Sequence, residues 1–378
     1  MLTIASGSVL TPQGFIDMDV GVADGVIVEA KGGGRMIDAS GLMVLPGLVD
    51  LHGDAFERQI MPRPGVSFAL HTALADTDRQ LVANGITTAC HGVTSSWEPG
   101  LRGLDNARAL VHAIARLRGK TACDMRLHLR HEVFNLAAVD ETLGWIAGGM
   151  IDALAFNDHM RGIVLGQTIK ASKLKTMVER AGLSEPDFMI VVERVLAREP
   201  DIAAALERLA KCAQAHGVPL LSHDDRHLAD RAASRALGCA ISEFPMSAEV
   251  ARNAIAAGEM TVFGAPNVLR GGSHIGCPSA AMMAAEGLCT ILSSDYYYPA
   301  MLAAPFRLVA QNGLALEQAW RLVSAHPAAA LGLKDRGEIT FGRRADLLLV
   351  ETTPQGPHLV ATLCGGEIAW LTDWHRLT

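Results

Sequence analysis

The chain has 378 residues, 49% of them hydrophobic, enough for two modest domains or for one barrel-sized domain with a satellite. A formal charge of −7 and a pI near 6.0 leave no basic excess for a nucleic-acid backbone, so a phosphorylated ligand must be met by a few local arginines or by metal. The seven cysteines (Cys90, Cys123, Cys212, Cys239, Cys277, Cys289, Cys364) form no CxxC pair, which excludes a zinc ribbon and a disulfide framework and fits the reduced thiols of a cytoplasmic protein.

The N-terminus shows no basic segment followed by an apolar run, and no stretch approaches the roughly 18 uninterrupted apolar residues of a membrane span. Residues 1–44 read as short β segments (2–4, 19–22, 26–30, 35–38), with Gly32-Gly33-Gly34 as a turn. The middle alternates apolar runs with helical patterns. Eight strands begin near residues 48, 87, 124, 152, 219, 240, 261 and 290, with helices over 73–84, 104–117, 201–216, 228–237 and 279–285. Eight strand–helix units predict an α/β fold of the closed (β/α)8 type, with its site at the C-terminal strand ends. A doubly wound open sheet is the alternative, but no glycine-rich fingerprint follows the first strand. The irregular, charged stretch 161–200 reads as a solvated helical insertion or as a lid over the barrel mouth. The tail is strand-rich again, at 337–339, 345–350 and 366–371.

The first strand, Leu48-Val49-Asp50-Leu51-His52-Gly53-Asp54, ends in an imidazole and a carboxylate spaced i, i+2. Residues two apart share a strand face, and such a pair suits a divalent cation such as zinc or manganese; a strand end with a capping Asp is the bland alternative. On the third strand Arg126, His128, Arg130 and Glu132 share one parity, with Met125, Leu127 and Leu129 on the other. That suits a barrel strand with a polar lumen end, though a surface edge strand alternates likewise. Glu132 falls nearest the mouth as a metal donor, and Arg130 sits one pleat deeper, placed to hold a carboxylate. His159 ends the fourth strand, as a ligand, a proton shuttle or a structural donor. Ser222-His223-Asp224-Asp225 ends the fifth. Glu243, at the end of the sixth, needs a metal or an arginine partner if buried. Asp295 ends the eighth before Tyr296-Tyr297-Tyr298-Pro299, a poor helix start, which favours metal binding and proton acceptance over capping.

These residues, with Pro46-Gly47-Leu48-Val49-Asp50-Leu51-His52 and Gly342-Arg343-Arg344-Ala345-Asp346-Leu347-Leu348, resemble the amidohydrolase superfamily. The run Gly264-Ala265-Pro266-Asn267-Val268-Leu269-Arg270-Gly271-Gly272-Ser273-His274, together with Leu127 to Glu132 and Ser293 to Tyr297, resembles the branch that acts in carbon–phosphorus lyase phosphonate metabolism. The resemblance implies a β-sandwich from 1–44 and 338–378 beside a metal-bearing barrel over 45–337. It also implies hydrolysis of a phosphorylated sugar phosphonate, a 5-triphosphate, to pyrophosphate and a 5-phosphate. His52, Asp54, Glu132, His223 and Asp295 would ligate one or two divalent ions, with His159 and Glu243 next in line. The superfamily's usual second histidine on strand one is Asp54 here. Its strand-four lysine is missing, since Lys170, Lys173 and Lys175 lie beyond that strand, and Glu132 is the natural substitute bridge. A carboxylate-rich set suits manganese or magnesium as well as zinc. Met160-Arg161-Gly162-Ile163 replaces a Ser-Pro-Gly-Gln-like loop of the branch, which puts substrate choice in question.

Asp295 is expected to take the proton of the attacking water, with His159 assisting. Arg63, Arg130, Arg161, Arg270 and His274 are expected to hold phosphate, each with pairing to nearby acids as the alternative. The rival activity is C–N bond hydrolysis (deacetylase, deaminase or cyclic amidase) on the same scaffold, and a metal-free binding protein is a third reading. No nucleic-acid or membrane partner is expected; a homodimer is.

Overall fold

The computed structural model describes residues 1–31, 34–63, 65–160, 171–272 and 277–378, and no side chains at 171–173, 176 and 180. Eight parallel strands form the middle: β6 (Leu48–Gly53), β7 (Ile86–Ser95), β8 (Asp124–Glu132), β9 (Ala153–Asn157), β10 (Leu220–His223), β11 (Ile241–Glu243), β12 (Met260–Gly264) and β13 (Ile291–Ser293). Each pairs with the next in chain order. The ring is nearly closed between β13 and β6 at its upper end, where the Asp295 N–H donates to His52 O (2.9 Å) and the Asp54 N–H to Asp295 O (2.8 Å). Lower down the seam is filled by Leu322 and Val323, which bond Leu292 and Val49.

Below the site the barrel is plugged by Val49, Leu51, Cys90, Ala153, Ala155, Leu221, Ile241, Val262 and Ile291. Leu127 and Leu129 of β8 face outward into the helix layer, leaving the opposite parity for the lumen. The helices Leu70–Ala83, Leu104–Leu117, Ile202–Ala215 and Leu228–Ala236 lie within three residues of their expected ends.

Both chain ends build a second sheet from β1 (Leu2–Thr11), β2 (Gly14–Ala23), β3 (Val26–Glu29), β4 (Arg35–Asp38), β5 (Met43–Pro46), β14 (Leu347–Thr353), β15 (Gly356–Cys364) and β16 (Glu367–Leu371). Its order is β16-β15-β14-β5-β1-β2-β3, with β4 beside β1. Pairing is antiparallel except where β1 meets β4 and β5. Period-two alternation divides β14 between two cores: Leu347 and Leu349 face the small domain's interior, Leu348 and Val350 the barrel helices. The Trp320 indole N–H donates to Pro46 O at this junction (3.1 Å).

Two expectations about the tail are corrected. Residues 337–339 form no strand: Gly337 has φ +88, and Ile339 is buried by a turn. A strand not anticipated, β15, pairs with β14 on one side and β16 on the other. Within 161–200, residues 161–170 lie outside the described set, and Ala171–Ala181 and Glu185–Leu196 are helical. Phe188 anchors the latter helix, its ring 5.7 Å from Trp97 on the loop after β7.

Candidate active site

Three strand ends carry non-glycine residues with positive φ: Asp224 (58°), Phe244 (52°) and Asp295 (53°). Such backbone costs about 1–3 kcal/mol per residue and persists only where the surroundings enforce it. All three line one cavity of about 260 Å³ at the C-terminal rim, with His52, Asp54, Arg130, His159, His223, Asn267 and Tyr296.

Glu243 is the hub of this rim. Fully buried, its Oε1 is 2.7 Å from His52 Nδ1 and 3.7 Å from His128 Nδ1, and its Oε2 is 2.6 Å from His223 Nδ1. Burial works against the charge, but the imidazoles of His52 and His128 and the bonds from His223 and His52 hold Glu243 well below the usual carboxylate range. The ionised carboxylate accepts the Nδ1–H bonds and leaves Nε2 of His52 and His223 unprotonated, each with a lone pair for a ligand. Burial pushes His128 down to about 3, so it is neutral, and its Nε2 has no hydrogen-bond partner among the described residues.

Asp54 meets two guanidinium groups. Arg130 Nη1 is 3.6 Å from its Oδ2 and Arg102 Nη2 is 3.4 Å away. Arg102 also grips Glu57 with two bonds, of 3.0 and 2.8 Å. Asp295 is raised to about 6, chiefly by burial, with His52 opposing and Asp54 reinforcing the shift. Glu132 accepts both the backbone N–H (3.2 Å) and Nδ1 of His159. Despite burial, those contacts hold it below the ordinary glutamate value.

The rim therefore gathers His52, Asp54, Arg130, His159, His223, Glu243 and Asp295, all anticipated from sequence. Glu132 belongs to none of the three-donor groups formed by the described residues; His159 lies between it and the cavity. Arg63 is exposed in a turn and does not line the cavity. Arg270 ends the helix Ala265–Arg270 and reaches the rim indirectly, donating to the Tyr296 hydroxyl (3.2 Å). Arg161 and His274 lie outside the described residues. His128 and Asp224 acquire donor positions that the sequence did not assign, although lumen parity and the His-Asp-Asp run pointed toward them. Arg102 sits in a loop with no local pattern to mark it.

Among the described residues three donor groups result: His52–His128–Glu243, His159–His223–Asp224 and His52–Asp54–Asp295, each with ligand atoms within 4.8 Å of one another. Atoms about 2.0–2.2 Å from one ion lie at most roughly 4.4 Å apart, so small movements suffice for coordination. With a bare His128 nitrogen and a buried Glu243 held ionised beside it, the residues fit a divalent ion.

A parallel barrel carrying imidazoles and carboxylates at its C-terminal rim defines a hydrolase scaffold suited to a divalent cation. The chain belongs to the amidohydrolase family, which it matches over residues 43–371; that family is generally dependent on divalent metal. It is 34% identical over 330 residues to the alpha-D-ribose 1-methylphosphonate 5-triphosphate diphosphatase of Escherichia coli strain K12, covering 85% of this chain and 87% of the relative. It is 27% identical to an adenine deaminase of Methylobacterium sp. strain 4-46, covering 89% of this chain and 52% of that protein. Among solved structures, D-hydantoinase from Bacillus sp. AR9 superposes with a TM-score of 0.60 at 16% identity, covering 98% of this chain and 95% of that one. A Xaa-Pro dipeptidase superposes at 0.63 with 13% identity, covering 97% and 99%. These last two likenesses concern the fold alone.

Proposed function

We propose that this hydrolase acts on a phosphoanhydride, converting alpha-D-ribose 1-methylphosphonate 5-triphosphate to the 5-phosphate and pyrophosphate. The observation that carries the reading is Arg130: a guanidinium only 5% exposed lines the cavity, and its Nε and Nη1 make no hydrogen bond among the described residues. A buried cation with unspent N–H groups calls for an anionic ligand, and phosphate oxygens match its geometry. The extent of the likeness to the Escherichia coli diphosphatase supports the same substrate class.

In this reading His52, Asp54 and Asp295 hold a divalent ion, zinc or manganese ahead of magnesium, with Glu243 and His128 behind them. His159, His223 and Asp224 form a second donor group, and Glu132 orients His159. When bound, the ion supplies acidity to water and positive charge to phosphate oxygens. Asp295 accepts the proton of the attacking water as the water oxygen bonds to phosphorus and the bridging P–O bond breaks, releasing pyrophosphate. His159 passes a proton at the rim. Arg130 binds phosphate oxygens directly. Arg270 acts from the cavity edge beside Tyr296, and Arg161 and His274 are assigned to the same ligand.

The test is pyrophosphate release from the sugar 5-triphosphate by the purified metal-loaded protein, run beside adenine and a cyclic amide. Arg270→Ala should raise KM for the triphosphate severalfold, roughly the loss of one exposed charge-assisted bond, and leave any amide activity unchanged. The adenine deaminase relative keeps C–N hydrolysis as a second reading, and turnover of the amide or adenine with no pyrophosphate release would favour it.

A further inference from the structure

The Arg130 guanidinium lies between two of the donor groups. Its Nη2 is 3.1 Å from His223 Nε2, and its Nη1 is 3.6 Å from Asp54 Oδ2. A guanidinium offers no lone pair, so His223 Nε2 accepts in the first contact. The same ring donates its Nδ1–H to Glu243, 2.6 Å away, which fixes the tautomer that leaves Nε2 bare. That nitrogen also faces Asp224, 3.8 Å from Oδ1. It is the atom through which the His159–His223–Asp224 group would reach an ion, and Arg130 already covers it.

We propose that Arg130 is a built-in second cation: the chain binds one divalent ion, on the His52–Asp54–Asp295 side, and the guanidinium takes the place of another at His223. The inference rests on the metal site of the reading above and specifies its stoichiometry. An imidazole–zinc bond is about 2.0–2.1 Å long, so an ion on His223 Nε2 would lie within roughly 4 Å of Nη2. Repulsion between a divalent ion and a guanidinium at that range, away from bulk water, opposes binding strongly. Arg130 is also packed in place. A Cβ on Gly92 would be 3.4 Å from Arg130 Cδ and 3.5 Å from His52 Nε2, so the bare backbone of β7 forms the wall against which the stem lies. Unlike an ion, the guanidinium cannot be chelated away, and its remaining N–H groups stay directed at an anion.

The experiment counts ions. Protein stripped with chelator is loaded with excess Mn²⁺, desalted, and assayed by elemental analysis and electron paramagnetic resonance. Wild type should retain one ion per chain with the spectrum of an isolated Mn²⁺. Arg130→Met should retain two, with the exchange-coupled spectrum of a close pair, and Arg130→Lys should stay at one. Two ions or a coupled spectrum in the wild type overturns the proposal, as does an Arg130→Met protein that stays at one. If Arg130→Met fails to fold, the wild-type count and spectrum decide. One ion in a protein inert toward triphosphates sinks the substrate reading and leaves this one standing; no ion at all overturns both.

Discussion

Asp50 on the first barrel strand accepts two hydrogen bonds from Ser294, just beyond the eighth: the backbone N–H reaches Oδ1 at 2.9 Å and the hydroxyl reaches Oδ2 at 2.6 Å. This contact, between residues 244 positions apart, ties the barrel seam beside Asp295. Gly53 is needed here, because a Cβ would come 2.7 Å from Ser294 Oγ and 2.8 Å from Asp50 Oδ2. Ser294→Ala leaves a fully buried carboxylate one donor short. It should cost about 1–3 kcal/mol, read as a lower urea midpoint at unchanged slope.

Asp295→Asn keeps the shape of the side chain and removes its basicity. Turnover of the triphosphate should fall by roughly 10²–10⁴-fold, with the far-UV circular dichroism of the wild type. Near-normal pyrophosphate release from this variant would assign the proton to another group.

Arg102 touches Asp54 of the candidate donor group while locked to Glu57, so it is expected to influence metal binding through that carboxylate. Arg102→Met should free Asp54 and weaken Mn²⁺ binding by about 10–100-fold, measured by calorimetric titration of the stripped protein. Arg102→Lys should recover only part of the loss, because lysine cannot span both carboxylates in the same planar geometry. Unchanged affinity in Arg102→Met would reduce the arginine to a loop anchor.

His91 on β7, whose ring packs on Phe56 and does not line the cavity, supplies a pH dependence of stability. Burial lowers it to about 4 from 6.5, so it is neutral in the folded chain. The unfolded chain takes up this proton near pH 6.5, whereas the folded chain refuses it until about pH 4. The contribution is therefore intact above 6.5 and is lost progressively down to about 4, by about 3 kcal/mol in all. His91→Leu should flatten this acid limb, seen by comparing urea midpoints at about pH 7.5 and about pH 5.

Much of the barrel was legible because its strands are short apolar runs that end in polar residues. The predicted starts near 152 and 219 differ by one residue from those of Ala153–Asn157 and Leu220–His223. The strand Gly356–Cys364 was missed although Leu359 to Leu363 is an apolar run, because its Gly-Pro start reads as a turn. In the site, His52, Asp54, His223, Glu243 and Asp295 could be found because each lies within two residues of a strand's C-terminal end. Arg102 and Asp50 could not: one lies in a loop, and the other reads as an ordinary polar residue inside a strand.

By itself the order of residues determined which barrel strands form, which parity faces the lumen and which side chains stand at the rim. Those properties follow from periodicity and from chemistry local to each strand. Only the tertiary structure decided the pairings: Glu243 shared by His52 and His223, Glu132 turned to His159, and Arg130 set between Asp54 and His223. His52 and Glu243, 191 positions apart, meet because the barrel closes, and side chains that share a rim still differ in what they touch. Buried charge makes that difference matter, since away from water a shift of about one ångström changes whether a group faces a proton, a guanidinium or an ion.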